Sequence, residues 1–191
     1  MNRLALVFPG IGYTADKPLL YYSIRLAARL GYQTRILSYS GFPDGVFHDE
    51  DKMRMAFSSA CAQAASQVSD LDFSTYDDIL LIGKSIGTVV AAQLASGWSS
   101  SAPIRMVLFT PLAETFLYPL SDAIVFTGTA DPWVKGHDSI HSLCMQLEIP
   151  CFVTENGNHS LETGDVSADL QTLSFVMRNT ERFMVGQKLF S

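Results

Sequence analysis

A G-x-S-x-G pattern, of the kind that holds a serine nucleophile, occurs as G-K-S-I-G at residues 83–87. It directly follows an apolar run, Ile79 to Ile82, that predicts a strand, and it directly precedes an apolar helix pattern, Thr88 to Ala95. This context suits the chemistry, because a sharp strand-to-helix turn exposes the Ser85 hydroxyl and the flanking glycines leave room for strained backbone. The turn also places the Ile86 N–H at a helix N-terminus, facing any oxyanion that forms beside the serine. A coincidental glycine-serine turn is the alternative, which the flanking elements disfavour.

A serine hydroxyl is a weak nucleophile until a base takes its proton, and an acid must hold that base in one tautomer. Two later loops offer these groups. Asp131 follows the apolar run Ala123 to Phe126, and His159 follows the run Cys151 to Thr154. Because the carboxyl ends of parallel strands meet at one edge of a sheet, we expect Ser85, Asp131 and His159 to converge there. The chain order of serine, acid and histidine is one of the orders in which such triads occur.

Other histidines and carboxylates compete for the two supporting roles. The competitors are His48, His137 and His141 for the base, and Glu114 and Glu155 for the acid. His137 and His141 lie four residues apart in a helix pattern, but the glutamate of H-E-x-x-H and a third ligand are missing, so a solvated helix face is favoured over a metal pair. Asp131 also precedes a proline and is compatible with a simple turn start. We favour Asp131 and His159, with no metal site.

The loop after the first predicted strand, F-P-G-I-G-Y at residues 8–13, has two interpretations. Its glycines let a backbone N–H approach a reacting carbonyl, which predicts a second oxyanion donor. The spacing Gly10-x-Gly12-x-x-Ala15 also fits the loose dinucleotide pattern G-x-G-x-x-A. That pattern calls for an acidic residue at the end of the second strand, about 20 residues on, but residues 37–40 read L-S-Y-S. The oxyanion interpretation is favoured, and a nucleotide site stays open as the alternative.

The elements that must position these residues alternate along the chain. Six apolar runs bounded by turn residues predict strands covered on both faces. They are Leu4–Phe8, Thr34–Leu37, Ile79–Ile82, Ile104–Phe109, Ala123–Phe126 and Cys151–Thr154. Between them, Asp16 as cap and Pro18 in the first turn predict a helix through Leu30, ending at Gly31. Apolar stripes predict two more helices: Met53, Phe57, Ala60, Ala64 and Val68, then Val166, Leu170, Leu173, Met177 and Met184. The alternation predicts an α/β fold with a parallel sheet and helices on both faces.

Length and composition narrow the class of protein. The 191 residues predict a single domain over 1–191, and the net charge of −6 offers no basic face for nucleic acid. Three cysteines without C-x-x-C spacing indicate reduced thiols in the cytoplasm. No apolar run approaches the roughly 20 residues that cross a bilayer, so we expect no membrane association. The low charged fraction of 17% leaves room for a homo-oligomer face.

Three motifs together resemble the small, uncapped serine hydrolases of the α/β-hydrolase superfamily, over nearly the whole chain. They are G-K-S-I-G at 83–87, G-T-A-D-P at 128–132 and G-N-H-S-L at 157–161. The resemblance implies a triad of Ser85, Asp131 and His159, with oxyanion donors at the Ile86 and Ile11 backbone N–H groups. It implies a reduced three-layer fold of about six mostly parallel strands. Pro9 stands where the family often has a histidine, and residues 111–122 are too few for the helical cap of many relatives.

These observations predict a cytoplasmic serine hydrolase that cleaves a small carboxylic ester or thioester through an acyl-enzyme intermediate, without cofactor or metal. The loop from Ser40 to Glu50, with Phe42, Pro43 and Phe47, is either an apolar entrance to the site or a packed surface loop. Trp133, next to Asp131, either shapes an acyl pocket or packs structurally. A second hypothesis is a binding protein that keeps the fold without turnover. A third is a nucleotide-dependent enzyme that uses the Gly10 loop.

Overall fold

The computed structural model describes residues 1–98, 100–120, 122–134 and 139–189, without the side chain of His48. It contains six strands: β1 (Arg3–Phe8), β2 (Tyr32–Ile36), β3 (Asp78–Lys84), β4 (Ile104–Phe109), β5 (Ala123–Gly128) and β6 (Cys151–Thr154). Five α-helices are present in the described residues: α1 (Pro18–Arg29), α2 (Glu50–Gln67), α3 (Ile86–Ser96), α4 (Ser139–Gln146) and α5 (Val166–Met184). None of these helices is long and apolar enough to cross a membrane.

The six strands form one sheet in the order β2-β1-β3-β4-β5-β6, and every neighbouring pair is parallel. The predicted α/β fold with six parallel strands is therefore confirmed. Between β4 and β5 the described residues hold a short 3-10 helix, Ala113–Leu117, and no cap domain. β2 lies on one side of β1, and the chain then crosses over β1 so that β3 lies on its other side. A crevice opens where such a sheet reverses its strand order, here between the carboxyl ends of β1 and β3.

Helices cover both faces of the sheet, because successive side chains of a strand point to opposite faces. On β1, Leu4, Leu6 and Phe8 join the core under α2, α3 and α4, whereas Ala5 and Val7 join the core under α1 and α5. A strand that is buried on both sides is mostly apolar, because a buried polar side chain needs a partner. This explains the continuous apolar runs that predicted the central strands.

The expectation that all six strands are covered on both faces is wrong for the two edge strands. Ile36 of β2 is 48% exposed and Val153 of β6 is 43% exposed, because the helices cover the edges of the sheet less completely than its centre. The apolar stripe predicted for the last helix is wrong in its first turns. Val166 and Leu170 at the start of α5 are exposed, whereas Met184 of the predicted stripe is buried and Leu173 and Met177 pack against the core.

The start of α1 also differs from the prediction. Its first residue is Pro18, as the first-turn proline indicated, but the cap position is Lys17 and no side chain caps the helix. Asp16 instead accepts a hydrogen bond from the Thr14 hydroxyl. The helix ends before Gly31, whose positive φ of 83° suits a glycine after a helix.

Candidate active site

Ser85 lies at a sharp turn between β3 and α3, at the edge of the crevice. Its φ of 56° and ψ of −127° place a non-glycine residue in a strained region, which is kept only where the surroundings enforce it. The two flanking glycines explain how the turn fits. A Cβ on Gly87 would lie 2.1 Å from the Phe8 carbonyl oxygen, and one on Gly83 would lie 2.9 Å from Thr88 Cα. Only glycine allows the helix, the strand and the β1 loop to approach this closely.

The loop after β1 borders the serine on the side of Gly10. Gly10 and Tyr13 exchange backbone hydrogen bonds of 3.1 and 3.4 Å, and a Cβ on Gly10 would be 3.1 Å from Ser85 Cβ. The Ile11 amide lies within this turn. The Ile86 amide opens α3 and has no carbonyl one turn earlier in the helix to bind. The helix that follows the glycines begins only at Pro18, so its N-terminus is offset from Gly10 and Gly12, unlike that of a dinucleotide site.

The loops after β5 and β6 bring an acid and an imidazole together. His159 Nδ1 lies 2.7 Å from Asp131 Oδ2, and the second carboxylate oxygen of Asp131 accepts a 2.9 Å hydrogen bond from the Trp133 amide. The Asp131 side chain is completely buried. The competing acids Glu114 and Glu155 are exposed. Of the three carboxylates considered, Asp131 is therefore the one that contacts His159.

Backbone hydrogen bonds fix these two loops against each other. The Thr129 amide donates to the Thr154 carbonyl and the Ala130 amide donates to the Gly157 carbonyl, each at 3.0 Å. The two chains pass so closely that a Cβ on Gly128 would lie 2.1 Å from the Gly157 carbonyl oxygen. Asp131 follows this contact by three residues, so the pairing of the loops aligns the carboxylate with the imidazole.

We expect Gly128→Ala to destabilise the protein by about 2 kcal/mol or more, because the contact is with backbone that cannot move aside. The loss is read from the midpoint of urea unfolding. Gly97→Ala is the matched control, since a Cβ at Gly97 would meet only the Leu94 carbonyl oxygen at an ordinary 3.6 Å. Equal stability of the two variants would show that the loop contact does not limit the fold.

Ser85 and His159 are connected through the end of β4. The Ser85 amide donates to the Phe109 carbonyl at 3.1 Å, and the hydroxyl of the next residue, Thr110, donates to the His159 carbonyl at 3.1 Å. His159 Nε2 is buried and makes no hydrogen bond to a described residue, Ser85 included. Catalytic hydrogen bonds are often long without substrate and tighten in the complex, so this nitrogen is available to take a proton.

Burial lowers the pKa of His159 below its usual value. The hydrogen bond to Asp131 acts in the opposite direction, and the charge of Lys84 lowers the pKa further. The net effect keeps the imidazole neutral at neutral pH. A neutral imidazole that donates from Nδ1 has a free lone pair on Nε2, which is the state a general base requires.

A groove of about 730 Å³ opens beside these residues. Its lining residues are Val46, Phe47, Asp49, Glu50, Met53, Arg54, Leu112, Glu114, Pro132 and Trp133. Trp133 stacks on the His159 ring at 5.5 Å and contacts Phe47 edge-on at 4.5 Å. Ile11 and Ile86 pack in the same apolar cluster as the groove wall. In the loop from residue 40 to 50, Phe42 packs inward and Phe47 lines the groove.

Two buried polar residues next to the predicted triad residues carry no sequence signal. Thr110, with a positive φ of 40°, holds the His159 carbonyl, and Lys84 is buried beside the serine. Lys84 occupies a variable position of the G-x-S-x-G pattern, and Thr110 follows a strand like any other polar residue. Neither feature distinguishes them from surface residues in the sequence.

Nothing in the described part of the chain gathers three or more His, Cys, Asp or Glu side chains into a possible metal site. His137 and the side chain of His48 lie outside the described residues. His141 lies on α4 and is partly exposed.

Comparison with known proteins gives structural neighbours. No family model matches the chain, and no curated protein is significantly similar to it. A protein of unknown function from Agrobacterium tumefaciens, described as a candidate α/β hydrolase, has a TM-score of 0.64 at 17% identity, covering 100% of this chain and 88% of that one. Est1E from Butyrivibrio proteoclasticus has a TM-score of 0.63 at 13% identity, covering 97% and 88%. An α/β serine hydrolase homologue from Coxiella burnetii has 0.56 at 16%, covering 93% and 84%. The chain has the α/β-hydrolase fold, which confirms the predicted resemblance at the level of the fold.

Proposed function

We propose that this protein is a serine hydrolase that cleaves a small carboxylic ester or thioester through an acyl-enzyme intermediate. The observation that carries the proposal is the 2.7 Å contact between His159 Nδ1 and the buried Asp131 carboxylate, formed at the same sheet edge as the strained Ser85 turn. Fold alone does not confer activity. The structural neighbours support hydrolysis as the reaction class, because they include a serine hydrolase homologue.

In the proposed reaction, the Ser85 hydroxyl attacks the carbonyl carbon of the substrate while His159 Nε2 takes its proton. Asp131 keeps the Nδ1 proton on the far side of the ring and stabilises the imidazolium that forms. The imidazolium then protonates the leaving alkoxide or thiolate. Water, deprotonated by the same nitrogen, attacks the acyl-serine, and the imidazolium then returns the proton to the Ser85 oxygen as the carboxylic acid leaves.

The tetrahedral intermediate carries a negative charge on the former carbonyl oxygen. The Ile86 amide opens a helix next to the serine, and the Ile11 amide lies in the loop that touches Ser85 through Gly10. Amides oriented before the reaction stabilise this charge more strongly than water does. We assign the oxyanion hole to these two N–H groups.

The groove beside Trp133 supports an apolar acyl group as the part of the substrate that the enzyme selects. Its floor is apolar, and its rim carries Asp49, Glu50 and Glu114 against one guanidinium, Arg54. An excess of carboxylates disfavours acyl groups that themselves carry a carboxylate. We therefore expect neutral, aliphatic acyl esters to be the better substrates.

A panel of p-nitrophenyl esters of increasing acyl length tests this proposal. Met53→Trp fills the groove and should reduce kcat/KM for a hexanoyl ester about 10-fold or more relative to an acetyl ester, since the added ring occupies the space of the longer chain. Met55→Trp is the matched control, because Met55 lies two residues away on α2 and is 64% exposed. A chain-length preference that is the same in both variants would place the acyl group elsewhere.

A further inference from the structure

Lys84 has an unusual position for a lysine. It is the last residue of β3 and points to the same face as Leu80 and Ile82, into the core under α1 and α5. The whole residue is 0% exposed. Its Nζ atom makes no hydrogen bond to any described residue and lies 4.8 Å from the centre of the Tyr13 ring.

An amine that is buried without a hydrogen-bond partner destabilises the fold, and an apolar side chain of similar length would fill the same space. Burial accordingly lowers the pKa of Lys84 to about 7, against the attraction of Asp131. A nearby negative charge is thus the main feature that favours the ammonium form.

Asp131 is the carboxylate in question. Its side chain is completely buried, and its oxygens bind the Trp133 amide and His159. In the described ranges its ion-pair contacts include no lysine or arginine. Lys84 lies beside Phe109 of β4 in the sheet, and the hydroxyl of the next residue, Thr110, donates to the His159 carbonyl, so the buried amine lies near the imidazole. The charge of Lys84 accordingly acts on His159. The site therefore combines a neutral imidazole with a buried carboxylate that contacts it and a buried amine nearby.

We propose that Lys84 is a positioning residue of this site, whose buried ammonium opposes protonation of His159 through its charge. The imidazole then remains a free base in mildly acidic solution, where an unassisted histidine would be protonated. The consequence for turnover rests on the proposed hydrolase function, but the electrostatic effect on His159 does not.

The groups that face Lys84 and His159 determine the sign of this effect. The charge of Asp131 raises the pKa of both Lys84 and His159. The charge of Lys84 lowers the pKa of His159, because two positive charges repel each other. Burial raises the pKa of Tyr13 to about 12, so its phenol stays neutral in this pH range. The charge of Glu162, in the loop before α5, acts in the same direction on Tyr13. Below about pH 7 Lys84 is charged, so its removal must raise the pKa of His159.

The test compares the wild-type protein with Lys84→Met, which preserves the length of the side chain and removes its charge. Titration of the His159 ring by NMR should show its midpoint about one pH unit higher in the variant. Lys17→Met is the matched control, because Lys17 Nζ lies 6.0 Å from the same Tyr13 ring but is exposed to solvent. We expect no shift in this control. Lys84→Gln provides the same comparison with a polar side chain if the methionine variant does not fold.

Turnover provides a second readout that separates the two proposals. If the hydrolase proposal holds, the acid limb of the kcat/KM profile for p-nitrophenyl acetate moves upward with the NMR midpoint. A wild-type protein without Ser85-dependent turnover would overturn the proposed function and leave the NMR result to decide the role of Lys84. An unchanged His159 midpoint in a folded Lys84 variant would overturn this inference, whatever the activity.

Discussion

Ser85→Ala is expected to reduce kcat/KM for a p-nitrophenyl ester by about 10⁴-fold or more, with unfolding by urea little changed. Alanine keeps the backbone turn and removes only the hydroxyl that forms the acyl-enzyme, so the residual rate reflects binding and the oxyanion amides. The measurement is steady-state hydrolysis on protein free of host esterases.

Ser160→Ala is the matched control for this variant. Ser160 is the residue after His159, and its amide donates to the Asn158 side chain, a contact that does not involve its own hydroxyl. We expect the control to retain activity within a few-fold of the wild type. Turnover that survives in Ser85→Ala would remove Ser85 from the mechanism.

Asp131→Asn is expected to lower kcat by about 10⁴-fold while the fold is retained. The carbonyl of the new amide can still accept from the Trp133 N–H, which leaves the NH₂ group facing His159 Nδ1. A donor at that position requires Nδ1 to accept, and this tautomer carries its proton on Nε2. The nitrogen that must take the Ser85 proton would then already hold one.

Glu155→Gln is the control for the acid, because Glu155 follows β6 but is exposed. It should leave kcat almost unchanged. A larger loss in Glu155→Gln than in Asp131→Asn would move the role of the acid to Glu155. The pH profile of Asp131→Asn offers a further check. Activity of this variant should rise at alkaline pH, where hydroxide replaces the imidazole as the base.

The central sheet was predictable because its signals are local. Strands such as β4 and β6 are bounded as the apolar runs predicted, since a short apolar run between turn residues is a local signal for a strand of the sheet. The turn at residues 83–87 was predictable for the same reason, because its glycines are required by contacts within a few residues and with the adjacent loop. The exposure of the first turns of α5 was not, because how much of an amphipathic helix contacts the core depends on where α1 lies.

The charges and hydrogen bonds of the site depend on contacts between residues that are distant in the chain, and a sequence pattern does not reveal these. Asp131 and Glu155 both follow strands that end at the same sheet edge, and the close approach of Gly128 to Gly157 decides which one reaches His159. Lys84 is buried because Tyr13 returns over the end of β3, which is a tertiary event. The sequence therefore indicates the residue types, while the structure supplies the burial of Lys84 and the hydrogen bonds of Asp131.

The most direct measurement for the central claim is labelling by a fluorophosphonate probe, followed by mass spectrometry of the peptides. Only a serine activated by a neighbouring base reacts rapidly with such a probe. The account predicts a single modified residue, Ser85, and labelling that slows by orders of magnitude in His159→Ala. Absence of label on Ser85 in the folded protein, or an equal rate in His159→Ala, would contradict it.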